Sequence, residues 1–225
     1  MAGELRVMLE IGPKSKHVVA VAPDWLGLER GAKTGEAAIA RLQSYLPRYA
    51  PVAKLAGMDA AFATITSTDV VERYPGTGST DFWGISFAFS EIDKQALSQE
   101  ELERELTLMR ACWAFFDGVR SRVSAELQKG PRGGGREREE VIGHTIRVEQ
   151  DFAQKVGVPT SQGALSSDED LLAYREAYQR GIRAAHAEGK MARTWPLRYL
   201  IRHTAYHTLD HAWEMEDRDL SEAGR

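Results

Sequence analysis

Three of the chain's six histidines fall within nine residues near the C-terminus. His203, His207 and His211 stand four apart in RHTAYHTLDHAWEMEDR, residues 202–218. On a helix, residues four apart are separated by roughly 40° of rotation and about 6 Å of rise. Two such imidazoles can ligate one cation, the geometry used by zinc-protease helices. Three in a row spread over roughly 80° and about 12 Å, too far for a single ion. At most two neighbours can serve as ligands together, and a further donor must come from elsewhere.

His144 is the best outside candidate, because it shares a helical face with Val141, Val148 and Phe152 and should point inward. His17 falls in a strand-like stretch, and His186, followed by AEGK, reads as exposed. A lone inward histidine is more often a satisfied core residue than a ligand; it is the coincidence with the C-terminal cluster that favours a metal. His144 with two histidines of the last helix would offer three neutral nitrogen donors. Such a set leaves positions open for water or substrate, the arrangement of a catalytic site. Imidazole accepts Zn2+, Ni2+ and Fe2+, with Zn2+ the first expectation. Asp210 and Glu214 lie near the same face and could orient an imidazole or take a proton. The plainer alternative for both is a solvated charge or an ion pair with Arg218.

The elements that must position these residues change character near residue 90. Before it, 5–11, 17–22 and 62–74 carry valine, threonine and partial alternation, which predict strands. Between the second and third, TGEAAIARLQSYLPRY predicts a helix capped by Thr34 and ended by Pro47. After residue 90 the period is helical. Ser98 and Glu101 form a capping box, and apolar residues from Leu102 to Leu127 then step by three or four. KGPRGGGR (129–136) lacks a GK[ST] ending and a preceding strand, so it reads as a connector rather than a phosphate loop. A second helix is expected over about 138–155. A third would be capped by Ser167 after the loop GVPTSQGALSS, and a fourth by Thr194, with Pro196 in its first turn. The expected fold is α+β: a small α/β unit (strand–strand–helix–strand) at 1–75, and a separately packed four-helix bundle at 95–225. YPGTGST (74–80) would join them.

Composition narrows the classes. Hydrophobic content of 43% with 28% charged residues suits a chain that buries a core. A net charge of −4 argues against a nucleic-acid binder. No apolar run approaches the roughly 20 residues that span a bilayer, and the first residues lack a secretory apolar core. The single cysteine, Cys112, excludes an intrachain disulfide and fits a reducing compartment, so the expected location is cytoplasmic. Cys112 sits beside Trp113 with no histidine three or four residues away and reads as a buried, inert thiol. Trp25 reads as a packing anchor in a turn; Trp83, Trp195 and Trp213 read as core or interdomain contacts.

AYHTLDHAWEMEDR, with IGHTIRVEQDF some sixty residues earlier, resembles the DinB/YfiT-like superfamily of metal-binding four-helix bundles. The resemblance covers about residues 95–218. It implies His144, His207 and His211 as ligands, with His203 an extra member near the pocket mouth; His203 with His207 is the competing pair. It also implies a metal-dependent enzyme that transfers a low-molecular-weight thiol to a small electrophile, or hydrolyses one. Such a site activates a thiol because a cation lowers its pKa. HVVAVAPDWLGLERGAKTGEAAIARL resembles the HicB-like pattern less closely, its Gly31-to-Thr34 spacing departing by one, and implies the same strand–strand–helix–strand order. The partners expected are a small-molecule substrate, with a homodimer left open, and neither nucleic acid nor membrane. The alternative is a non-catalytic binding protein with a vestigial metal site.

Overall fold

The computed structural model describes residues 3–130, 134–160 and 167–221. Its N-terminal part is built on strands β1 (Gly3–Ile11), β2 (Val18–Val21), β3 (Glu29–Ala32) and β4 (Ile65–Pro75), in the sheet order β3-β2-β1-β4. β1–β2 and β2–β3 pair antiparallel, and β4 returns parallel to β1. A parallel return needs a crossover. Helices α1 (Gly35–Ser44), α2 (Leu46–Leu55) and α3 (Asp59–Phe62) supply it.

Alternation sets the two faces of the sheet. Leu5, Val7, Leu9, Val18 and Ala20 enter the main core, whereas Met8, Val19, Val21 and Tyr74 form a second apolar cluster. Thr34 caps α1 as expected. Pro47 does not end the helical path: the chain bends at Tyr45, and Pro47 sits in the first turn of α2, where its missing N–H costs nothing. Strand β3 was absent from the sequence expectation, and the third expected strand starts at Ile65, leaving Phe62 to α3. The order is therefore strand–strand–strand, three helices, strand.

Two short helices, α4 (Gly78–Trp83) and α5 (Glu91–Lys94), lead to four long ones: α6 (Gln99–Arg122), α7 (Arg138–Ala153), α8 (Asp168–Ala187) and α9 (Leu197–Asp217). The Ser98–Glu101 capping box and the Ser167 cap are formed. Val123 and Leu127 are buried but lie past the end of α6. Pro196, not Thr194, is the N-cap of α9. The expected connector at 129–136 and the loop at 157–167 lie in part outside the described residues. α9 packs along α6 and against α7, and the Tyr178 hydroxyl of α8 meets Thr204 of α9 at 2.9 Å.

The apolar core is continuous from the sheet to the long helices: Leu5, Tyr49, Met109, Phe116, Leu209 and Met215 belong to one cluster. Gly27, at φ 87°, makes one close approach possible; a Cβ there would lie 3.0 Å from the Ala205 carbonyl oxygen of α9. Polar groups join the same parts. Arg202 of α9, 1% exposed, is held by Asp93 at 2.6 and 2.8 Å and by Glu29 of β3 at 2.9 Å. Among the described residues, no helix is long and apolar enough to cross a membrane.

Candidate metal centre

His144 lies in the middle of α7, where Val141 and Phe152 of the same face are buried. His207 and His211 lie one turn apart on α9, where apolar neighbours fix the helix against α6. The ligand atoms of the three histidines all lie within 4.8 Å of one another. His144 and His207 face each other with Nε2 atoms 3.3 Å apart. Two nitrogens on a tetrahedral zinc ion, each about 2.0–2.1 Å from it, would stand about 3.3 Å apart. The donor set, and the spacing of this pair, therefore fit a small divalent cation.

The third imidazole is held from behind. His211 Nδ1 lies 2.7 Å from Glu214 Oε2, which directs Nε2 away from the carboxylate. Glu214 is in turn paired with Arg218 at 3.0 Å and Arg136 at 3.3 Å. The hydrogen bond from His211 keeps the Glu214 carboxyl below its usual range, against the opposing effect of partial burial, and the arginines add to the lowering. Burial pushes His207 well below the ordinary imidazole value, and the neighbouring histidines push the same way. His144 is lowered first by burial and then by His211. Neutral imidazoles present the lone pairs that a metal requires.

Asp210 is not brought to the histidines; it faces the sheet, 3.3 Å from Arg30 of β3. Consecutive helical residues are about 100° apart, so its neighbour His211 points elsewhere. His203 is buried rather than at a pocket mouth. Its ring stacks on Tyr199 at 5.1 Å and is flanked by Phe152, Trp195 and Phe87. Its Nδ1 has no hydrogen-bond partner among the described residues, and burial lowers it to about 3. His186 is half-buried, not exposed, with Nε2 2.7 Å from the Leu97 carbonyl oxygen. His17 precedes β2, its Nδ1 2.8 Å from the Asp81 carbonyl oxygen.

Trp25 is an anchor, edge-on to Phe62 at 4.8 Å. Trp213 is buried beside Tyr45 and Arg30, a core contact as expected. Trp83 departs from the core expectation, being 65% exposed. Cys112 is fully buried, and burial raises its thiol. Arg136 was missed: it precedes α7 in a glycine-rich segment, and nothing local marks it as a partner of Glu214. No protein-family model, curated protein or solved structure matches the chain.

Proposed function

We propose that His144, His207 and His211 hold one divalent cation, Zn2+ in preference to Ni2+ or Fe2+, in an enzyme of the DinB/YfiT-like type. On this reading α6 to α9 form the four-helix bundle, and the substrate is a small electrophile attacked by a low-molecular-weight thiol or by water. The observation that carries the reading is the convergence of three imidazoles from two helices, one of them oriented by Glu214. A divalent cation held there supplies Lewis acidity and lowers the pKa of a thiol or water offered to it. The protein's own residues do the rest. Three neutral donors leave the cation its full charge, which favours an anionic nucleophile. Glu214, committed to His211 and two arginines, acts as a positioning residue. Phe152, its ring centroid 6.1 Å from that of His207, forms an apolar wall. The one cysteine is buried, so the nucleophile comes from outside the chain.

Elemental analysis of the purified chain tests the metal, with one equivalent expected and none in His207→Ala. The reaction is tested by offering metal-loaded protein a panel of small thiols with an aryl halide electrophile. Acceleration requiring both thiol and metal supports transfer; acceleration requiring only metal supports hydrolysis. Protein that holds no metal at neutral pH and accelerates neither reaction would instead be a binding protein.

A further inference from the structure

The chain's net charge of −4 conceals a local reversal of sign at the C-terminal end of α4. Phe82 and Trp83, the last two residues of this helix, are 71% and 65% exposed, the highest values among the large hydrophobic side chains described. Their rings stand edge-on with centroids 4.5 Å apart, so they form one apolar surface rather than two scattered ones. Single exposed apolar residues are ordinary, whereas contiguous ones rimmed by polar groups mark an interaction surface.

Four basic residues border the rings. The Asp81 carboxylate, one residue before Phe82, accepts from the backbone N–H groups of Lys14 at 2.7 Å and Lys16 at 2.8 Å, which ties the loop between β1 and β2 to the end of α4. On the other side, Gly31 lets the segment after α4 close on β3: a Cβ there would lie 2.0 Å from the Gly84 carbonyl oxygen. Lys33 follows two residues later, and Arg41 donates to the Gly31 carbonyl oxygen at 2.9 Å and lines one hollow with Trp83. All four basic residues are exposed, and none has a carboxylate partner among the described residues. The acids nearby count for less. Glu36 is exposed, Asp81 is 7% exposed with both oxygens taken by backbone N–H groups, and Asp210 is offset by Arg30. The surface therefore carries an excess of positive charge around an apolar centre.

Charge selects what covers it. Two copies joined across a two-fold axis would set these cations against one another. A neutral apolar partner would leave them unpaired. The interfacial zone of a bilayer containing acidic lipids meets both demands: aromatic rings settle at the headgroup level, and each lysine or arginine near the surface adds to the attraction. We propose that the end of α4 is a membrane-association surface, in which Phe82 and Trp83 enter the headgroup region of an anionic bilayer and Lys14, Lys16, Lys33 and Arg41 lie over its acidic lipids. The contact is peripheral and reversible, and the histidine cluster takes no part in it.

Co-sedimentation of the full chain with vesicles of phosphatidylcholine containing about 30% phosphatidylserine tests this. Binding is expected, about tenfold or more stronger than to pure phosphatidylcholine and largely lost in about 0.5 M salt. Phe82→Ser with Trp83→Ser, and separately Lys14→Glu with Lys16→Glu, should each weaken it about tenfold or more. These side chains are exposed, so both variants should fold, which circular dichroism checks. Vesicles should shift the tryptophan emission of the parent to the blue, and Trp83→Phe should keep the binding and lose the shift, because Trp25, Trp113 and Trp213 are buried. Absence of binding to the acidic vesicles overturns the inference, as does equal binding to neutral ones or unchanged binding in either double variant. So does a blue shift that survives in Trp83→Phe. Oligothymidylate bound more tightly than the vesicles, or a solution dimer abolished by Phe82→Ser with Trp83→Ser, would assign the surface to a nucleic acid or to a second copy and overturn it as well.

Discussion

His211 and Glu214, three residues apart on α9, are joined by a 2.7 Å contact between Nδ1 and Oε2. The carboxylate is fixed from its far side by Arg136 and Arg218, so the imidazole inherits a defined orientation. With Nδ1–H donated to Glu214, Nε2 is left as the donor atom.

Glu214→Gln keeps the shape but weakens the acceptor. Metal affinity is expected to fall about 10- to 100-fold, with little change in the unfolding midpoint of the metal-free protein. Competition against a chromophoric chelator measures it. Affinity equal to that of the parent would remove Glu214 from the metal centre.

His203 and His207 are neighbours in the four-residue stripe with separable roles. His207→Ala is expected to abolish stoichiometric metal. His203→Ala should retain metal but cost about 2 kcal/mol or more, because it empties a buried aromatic cage. Denaturant unfolding with metal analysis separates the two, and loss of metal in both variants would favour the His203–His207 pair as ligands.

Acid should destabilise the fold through His203. Its folded pKa of about 3 lies below the ordinary 6.5, so the unfolded chain binds the proton more readily. The contribution is present above about pH 6.5 and is lost as pH falls toward 3, amounting to about 3 kcal/mol by pH 4. Glu105 acts with the opposite sign. Burial raises it from 4.5 to about 8, so its contribution is present at low pH and is lost as pH rises through 8. His203→Phe should flatten the acid limb of the stability curve, and Glu105→Gln the alkaline limb. Unfolding midpoints measured across pH 4–9 would show parallel curves if neither group matters.

Cys112 is expected to resist thiol reagents in the folded protein, since burial raises its thiol and leaves the sulfur no access to solvent. One equivalent should react after denaturation. Rapid labelling of the native chain would place a reactive thiol in the protein and reopen the identity of the nucleophile.

The histidine cluster was legible because four-residue spacing places side chains on one helical stripe whatever the fold, and His144 lay on an apolar face. Asp210 was not, because one residue of displacement turns a side chain by about 100° and only the packing partner decides where it lands. Strand β3 reads ERGA, with little strand propensity; its pairing with β2 makes it a strand. Arg202 resembles a surface residue in sequence, since arginine is almost never fully buried without partners, and Glu29 and Asp93 lie 173 and 109 residues away. Trp83 shows the converse: aromatic composition suggested core, and only the tertiary path leaves it in solvent.

The clasp on Arg202 works as a key in a shaft. Five residues before His207, it pins the azimuth of α9 to β3 on one side and α5 on the other, and its aliphatic stem leaves no slack in a fully buried seat. A roll of α9 by even one residue would strand two buried carboxylates and swing His207 and His211 away from His144 together. The distance between the imidazoles of α7 and α9 is thus metered from the sheet, more than 170 residues away in sequence at its farthest contact. Wear on that key, by Arg202→Met for instance, would surface first as a loss of register at the histidines.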